Sequence, residues 1–177
     1  LTGARVTGLG RRAKYGLITT DREDTLIFHL GMSGRWRVDP AEIGTHDHLV
    51  IETDEGRVLA LNDPRRFGSL DLMRSDEVEH WPTFAALGPE PLGVAFTASH
   101  LARAFEGRNA SIKSLLLDQR VVSGLGNIYV CEALHIARIA PDLPAGQVAT
   151  ARLRPLVTAI KDVLAAAIEA GGSTLRD

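Results

Sequence analysis

The sequence predicts an α+β fold in which a β-sandwich comes first and an all-helical domain second. Three observations carry this. Residues 1 to about 74 are short runs rich in β-branched and aromatic residues, bounded by Gly, Pro and Asp. From residue 97 onward apolar residues recur at helical spacing behind residues that favour helix N-termini. Between the two, "LGPEPLGVAFT" carries Pro89 and Pro91 and suits a connection rather than an element. The expected organisation is a sandwich over residues 1–81, a linker over 82–96 and a helical domain over 97–177.

Each element follows from local pattern. The opening "ARVTGLGRRAKYGLITT" is strand-like, and "KYGLITT", "TLIFHLG" and "GRWRVDP" are further strands. In "HLVIETDEGRVLAL" two alternating runs flank Asp54, Glu55 and Gly56, a hairpin signal. "GSLDLM" closes the β-rich part. Short strands with tight turns favour a sandwich or barrel. Thr97 then fits the N-cap of a helix reaching Phe105, and Ser111 the cap of "SIKSLLLDQ". Asn127 fits the cap of "NIYVCEALHIA". The last helix, roughly 149–170, is stopped by Gly171 and Gly172.

Totals narrow the function classes. The chain has 177 residues, enough for one large domain or two small ones, and 45% of them are apolar. Its single cysteine, Cys131, excludes a disulfide framework or a cysteine zinc site in this stretch. With no apolar run of transmembrane length and no signal peptide, a cytoplasmic location is expected. The net charge of −2 is unevenly spread: +3 over residues 1–40, −7 over 41–100 and +2 over 101–177. Scattered solvated charge and a basic groove both fit that distribution. Both ends read as cut, since the chain opens on Leu1 inside a strand pattern and stops just past a helix-ending Gly pair.

Several short stretches can carry chemistry. In "VVSGLGNIY", Gly124 and Gly126 let backbone approach a ligand, and the helix beginning at Asn127 presents unpaired N–H groups. With the preceding short helix and its Lys113, this forms a helix–two-turns–helix unit suited to gripping a phosphate; a plain helix connection is the bland alternative. In "HLGMSG", Met32 stands on a loop tip, either as a soft wedge or folded back on the core. "THDHL" sets His46 and His48 at strand spacing on one face. No further ligands stand nearby, so donation to a phosphate suits His46 better than metal binding. In "GRRAKYG", Lys14 at the mouth of an apolar strand is a candidate acid, base or phosphate ligand.

"LNDPRRFGSL" interrupts a strand with Arg65, Arg66 and Phe67, which no core requires. An exposed aromatic beside arginines can push into a base stack, with Met32 as a second wedge. Enzymes that act on a base must take it out of the duplex and fill the space it leaves.

At these residues the chain resembles the formamidopyrimidine-DNA glycosylase family. The resemblance runs in order through "RRAKY", "HLGMSG", "HDH", "DPRRFG", "LGPEPL", "IKSLLLDQ", "GLGNIY" and "GGSTL". It implies a β-sandwich followed by a helical domain, with DNA lying across the cleft between them, in a monomeric, bacterial, nucleoid-associated repair enzyme. That enzyme removes oxidised purines, 8-oxoguanine and formamidopyrimidines, from duplex DNA and then cleaves the strand as an AP lyase. By resemblance, Lys14 is the proton donor in β-elimination, and Glu132 lies near the damaged-base pocket. His46, Arg65, Arg66, Arg108, Lys113, Gly126 and Asn127 contact DNA. Met32, Arg65 and Phe67 fill the void, with Arg65 facing the orphaned cytosine.

Two family features are absent from this stretch. The nucleophile is an N-terminal proline followed by glutamate, whose amine forms a Schiff base with the sugar, whereas residue 1 here is Leu. A four-cysteine zinc finger carries one zinc ion, which a chain with one cysteine cannot hold. The 177 residues alone are therefore expected to be inactive and to hold no cofactor. Alternatives are a non-catalytic damaged-DNA-binding paralogue, an endonuclease VIII-like glycosylase for oxidised pyrimidines, and an RNA- or ribosome-binding module; the last gives Met32 and Phe67 no role.

Overall fold

Among the described residues seven strands come first, some alternating in burial, as in "DHLVIE", and some continuously apolar, as in "LIF" and "VLAL". β1 (Val6–Arg12), β2 (Tyr15–Thr20), β3 (Asp24–His29) and β7 (Ser69–Arg74) form an antiparallel sheet in the order β1-β2-β3-β7. β4 (Arg35–Val38), β5 (Asp47–Glu52) and β6 (Val58–Asn62) form a second, ordered β4-β6-β5. This computed structural model describes residues 1–172, so the end of the "GGSTL" motif lies outside the described residues. The backbone divides into two compact units, Leu1–Trp81 and the part beginning at Pro82.

The two sheets meet through aromatic side chains. Phe28 of β3 and Trp36 of β4 stand edge to face, with ring centroids 5.3 Å apart, a favoured geometry for aromatic pairs. Gly16 lies opposite Phe28 in the β2–β3 register, and a Cβ there would clash with the Phe28 ring. Ile27 and Ala60 are wholly buried, one in each sheet.

The second unit holds α1 (Pro82–Ala85), α2 (Ala98–Phe105), α3 (Ile112–Leu117), α4 (Asn127–Ile136) and α5 (Thr150–Glu169). Thr97 and Ser111 cap α2 and α3, their hydroxyls accepting from the N–H groups of His100 and Ser114. Leu101, Ile112, Leu116, Leu125, Val130, Leu156 and Ile160 have no exposed surface. Each such aliphatic chain contributes roughly 1.5–3 kcal/mol of burial free energy, and together they join α2, α3, α4 and α5 in one core.

Residues 82–96 are more than a linker. They include α1, and the "LGPEPL" stretch bonds to the helical unit. The Gly88 N–H donates to the Gln119 carbonyl at 2.8 Å, and the Ser123 N–H to the Pro89 carbonyl at 3.1 Å. Prolines signal the absence of regular structure, yet such a segment can still dock through its remaining N–H and C=O groups.

Candidate nucleic-acid interface

Lys14 sits in the two-residue turn that joins β1 to β2, where Arg12 pairs with Tyr15. Its neighbour Ala13 is buried with φ +54, a left-handed backbone that a non-glycine residue holds at a cost of about 1 kcal/mol. The lysine side chain reaches solvent, but surrounding atoms desolvate its ammonium enough to lower its pKa.

His29, at the end of β3, pairs with Tyr15 across the ladder and their rings lie 4.9 Å apart. Its pKa is lowered, first by desolvation and then by the positive charge of Lys14. The Gly31 N–H donates to its Nδ1 at 3.0 Å, which assigns the ring proton of the neutral imidazole to Nε2. Replacing Lys14 with methionine removes one of the two causes. The His29 pKa is then expected to rise towards the ordinary histidine value, as followed by NMR titration of the imidazole. An unchanged titration would mean that the two groups do not face each other. In the sequence His29 ends an apolar strand run, where a histidine looks like filler.

Met32 and Phe67 project from two neighbouring loops and are 74% and 57% exposed. Neither folds into the sandwich. The Arg65 guanidinium lies 4.8 Å from the centre of the Phe67 ring, so the two form one cation–π unit. Arg66 takes φ +57 and is exposed. The loops touch through backbone: Gly31 has φ +61, and a Cβ on it would come 2.6 Å from the Phe67 carbonyl carbon. Alanine at position 31 would combine left-handed strain with that clash. Gly31→Ala is expected to destabilise this unit by more than about 1 kcal/mol in thermal melting.

The histidines depart from the simple strand-face expectation. His46 is exposed and precedes β5, and the β5–β6 register slips between Asp47 and Leu49. His48 is thus the extra residue of a β-bulge, which re-aims its side chain so that Nε2 lies 3.0 Å from the Asp63 carbonyl. Asp47 between them is structural. Its carboxylate takes a hydrogen bond from Gly44 N–H at 2.7 Å, one from Asn62 at 2.9 Å and an ion pair with Arg37 at 2.7 Å. The Gly44, Asn62 and Arg37 contacts together lower its pKa.

In the helical unit, α3 and α4 flank the glycine-rich turn. Gln119 fixes that turn. Its Nε2 donates to the carbonyls of Leu117 and Leu125, and its Oε1 accepts from the Gly124 N–H at 2.8 Å. The N-cap of α4 is Gly126, not Asn127, which is the first helical residue. No side chain caps this helix, so its first-turn N–H groups stay available to an anion. Lys113 lies in the first turn of α3 and is half-buried, whereas Arg108 is exposed in the loop before it. Arg108 is near enough to Asp118 to help lower that carboxyl's pKa, although Arg120 does most of this. Glu132 lies on the exposed side of α4, one turn from Ile128 and from Ile136.

Among the described residues no group of three or more His, Cys, Asp or Glu side chains could hold a metal ion. The chain's single cysteine, Cys131, does not fit the four-cysteine zinc site implied by resemblance. No described helix is long and apolar enough to cross a membrane.

Two family descriptions match the chain. Residues 1–70 match the formamidopyrimidine-DNA glycosylase N-terminal domain, and residues 87–177 match the formamidopyrimidine-DNA glycosylase H2TH domain. Along its whole length the chain is 69% identical to formamidopyrimidine-DNA glycosylase of Rhizorhabdus wittichii and 68% identical to that of Novosphingobium aromaticivorans, spanning 66% of each protein. Among solved structures, Thermus thermophilus MutM (Fpg) is 39% identical with a TM-score of 0.90, over 99% of this chain and 64% of that one. Lactococcus lactis Fpg, complexed with DNA containing an abasic site, is 34% identical with a TM-score of 0.92, over 98% of this chain and 65% of that one. With both domain types matched and identities this high over its full length, the chain belongs to the formamidopyrimidine-DNA glycosylase family.

Proposed function

We propose that this chain is the base-everting and strand-gripping part of a bifunctional DNA glycosylase that excises oxidised purines from duplex DNA. One observation supports this most: Met32 and Phe67 stand exposed on touching loops, with Arg65 stacked on Phe67. Such a cluster suits the space vacated by an everted nucleotide, the arginine hydrogen-bonding the base left behind. His46, Arg66, Arg108, Lys113, Gly126 and Asn127 hold the phosphate backbone, and Glu132 borders the damaged base. Lys14, its ammonium made more acidic by desolvation, donates the proton in β-elimination. The attacking amine comes from the Pro–Glu start that the family resemblance implies. The one zinc ion belongs to a cysteine finger outside these 177 residues. The protein works as a monomer in the bacterial cytoplasm, at the nucleoid.

The test is a panel of duplexes carrying 8-oxoguanine, a formamidopyrimidine or an oxidised pyrimidine, with borohydride to trap the Schiff base. The whole protein is expected to release the purine lesions faster and to form a trapped adduct. Residues 1–177 alone are expected to bind and form none. Preference for the pyrimidine lesion would move the assignment to the endonuclease VIII-like branch, and an adduct on residues 1–177 would show another nucleophile.

A further inference from the structure

We propose that Asp63 is a positioning residue that locks the Met32 and Phe67 loops into one rigid wedge. The inference rests on the void-filling role given to those two side chains above.

Asp63 is only 5% exposed, and its carboxylate lies between the two loops. One oxygen, Oδ1, accepts from the Ser33 hydroxyl at 2.7 Å, and the other, Oδ2, accepts from the Gly68 N–H at 2.8 Å. Ser33 directly follows Met32, and Gly68 directly follows Phe67. Each oxygen therefore holds the residue next to one wedge. The N–H groups of Arg65 and Arg66 also favour the charged carboxylate, so four donors act on it and keep its pKa low. The Asp63 backbone is fixed as well: its N–H donates to the His46 carbonyl at 2.9 Å, and its own carbonyl accepts from the Arg66 N–H at 3.2 Å. The close Gly31–Phe67 backbone approach leaves the loops no slack.

A buried carboxylate needs such donors, because an unpaired charge in that position is strongly disfavoured. The loops must therefore stay at one separation whether or not DNA is present. Two exposed apolar side chains held this way enter a base stack without first being ordered, and preorganisation of this kind raises affinity. A plain loop anchor would hold either loop. Asp63 holds both, and so couples them.

The experiment uses the whole protein and a duplex with a stable abasic analogue beside 2-aminopurine, whose fluorescence rises on unstacking. In the wild type, Met32→Ala and Phe67→Ala are expected to slow unstacking non-additively, since a coupled pair fails additivity. With Asp63→Asn, insertion is expected to slow about tenfold and the same two substitutions to become additive, while binding to undamaged duplex is kept. Ser33→Ala, which removes only the Met32-side bond, is expected to have the same effect to a smaller degree and covers the case in which Asp63→Asn does not fold. The proposal is overturned if folded Asp63→Asn, or Ser33→Ala in its place, leaves insertion and the Met32–Phe67 coupling as in the wild type. If Met32→Ala and Phe67→Ala have no effect even in the wild type, the void-filling reading itself fails.

Discussion

Replacing Lys14 with arginine is expected to slow strand cleavage by the whole protein about 10²–10⁴-fold, the range for losing a positioned general acid. Arginine keeps the positive charge but does not release its proton near neutral pH. Desolvation lowers the Lys14 pKa, so its ammonium gives up a proton more readily than an ordinary lysine. The same shift has a stability consequence with a definite sign. Below its folded-state pKa the lysine is charged in both folded and unfolded chains, and the unfavourable burial of that charge is fully present. As pH rises through the folded pKa towards the unfolded one, this penalty disappears. Lys14→Met is therefore expected to melt slightly higher than the wild type at pH 7 while losing elimination. Cleavage assays and thermal melts on the same samples check this. A variant that loses both activity and stability would point to collapse of the turn rather than loss of a proton donor.

Phe67→Ala is expected to weaken complexes with abasic-analogue duplex by about 1–3 kcal/mol, roughly 5- to 150-fold, the usual worth of one aromatic stacked on a base. Binding to undamaged duplex at low salt should change little, because phosphate contacts supply most of that affinity. The melting temperature should also hold, because Phe67 is 57% exposed and its ring is not part of the sandwich core. Removing the ring also removes the cation–π partner of Arg65, so discrimination for cytosine opposite the lesion should relax with it. Fluorescence anisotropy across a salt series, with each of the four bases opposite the lesion, measures both effects. Equal loss on damaged and undamaged duplexes would place Phe67 outside the stack.

The elements were legible because their signals are local. Thr97 and Ser111 announced two helices through side chains that bond three residues ahead, and "TDEG" announced a hairpin within a few residues. The exposed Arg65–Phe67 turn was legible because nothing in a core requires such residues. What escaped reading depends on partners far along the chain. The Asp63 carboxylate meets Ser33 thirty residues away, and His29 takes its character from Tyr15 and Lys14 on the preceding turn and strand. Asn127 resembles a cap by type, but the backbone enters α4 one residue earlier, at Gly126. Residues 82–96 resemble a linker because prolines hide docking made by backbone groups such as the Gly88 N–H and the Pro89 carbonyl.

The clamp formed by Gln119 bears on how the protein ages. Both carbonyl contacts of its amide nitrogen require N–H donors, and deamidation to glutamate would delete them while leaving an acceptor facing Gly124. The hydrophobic helical core would survive such a lesion, but the amide cradle would not stay in place. Stored preparations would then lose DNA-binding titre with no sign of unfolding, and a one-dalton mass increase on the peptide containing Gln119 would reveal it.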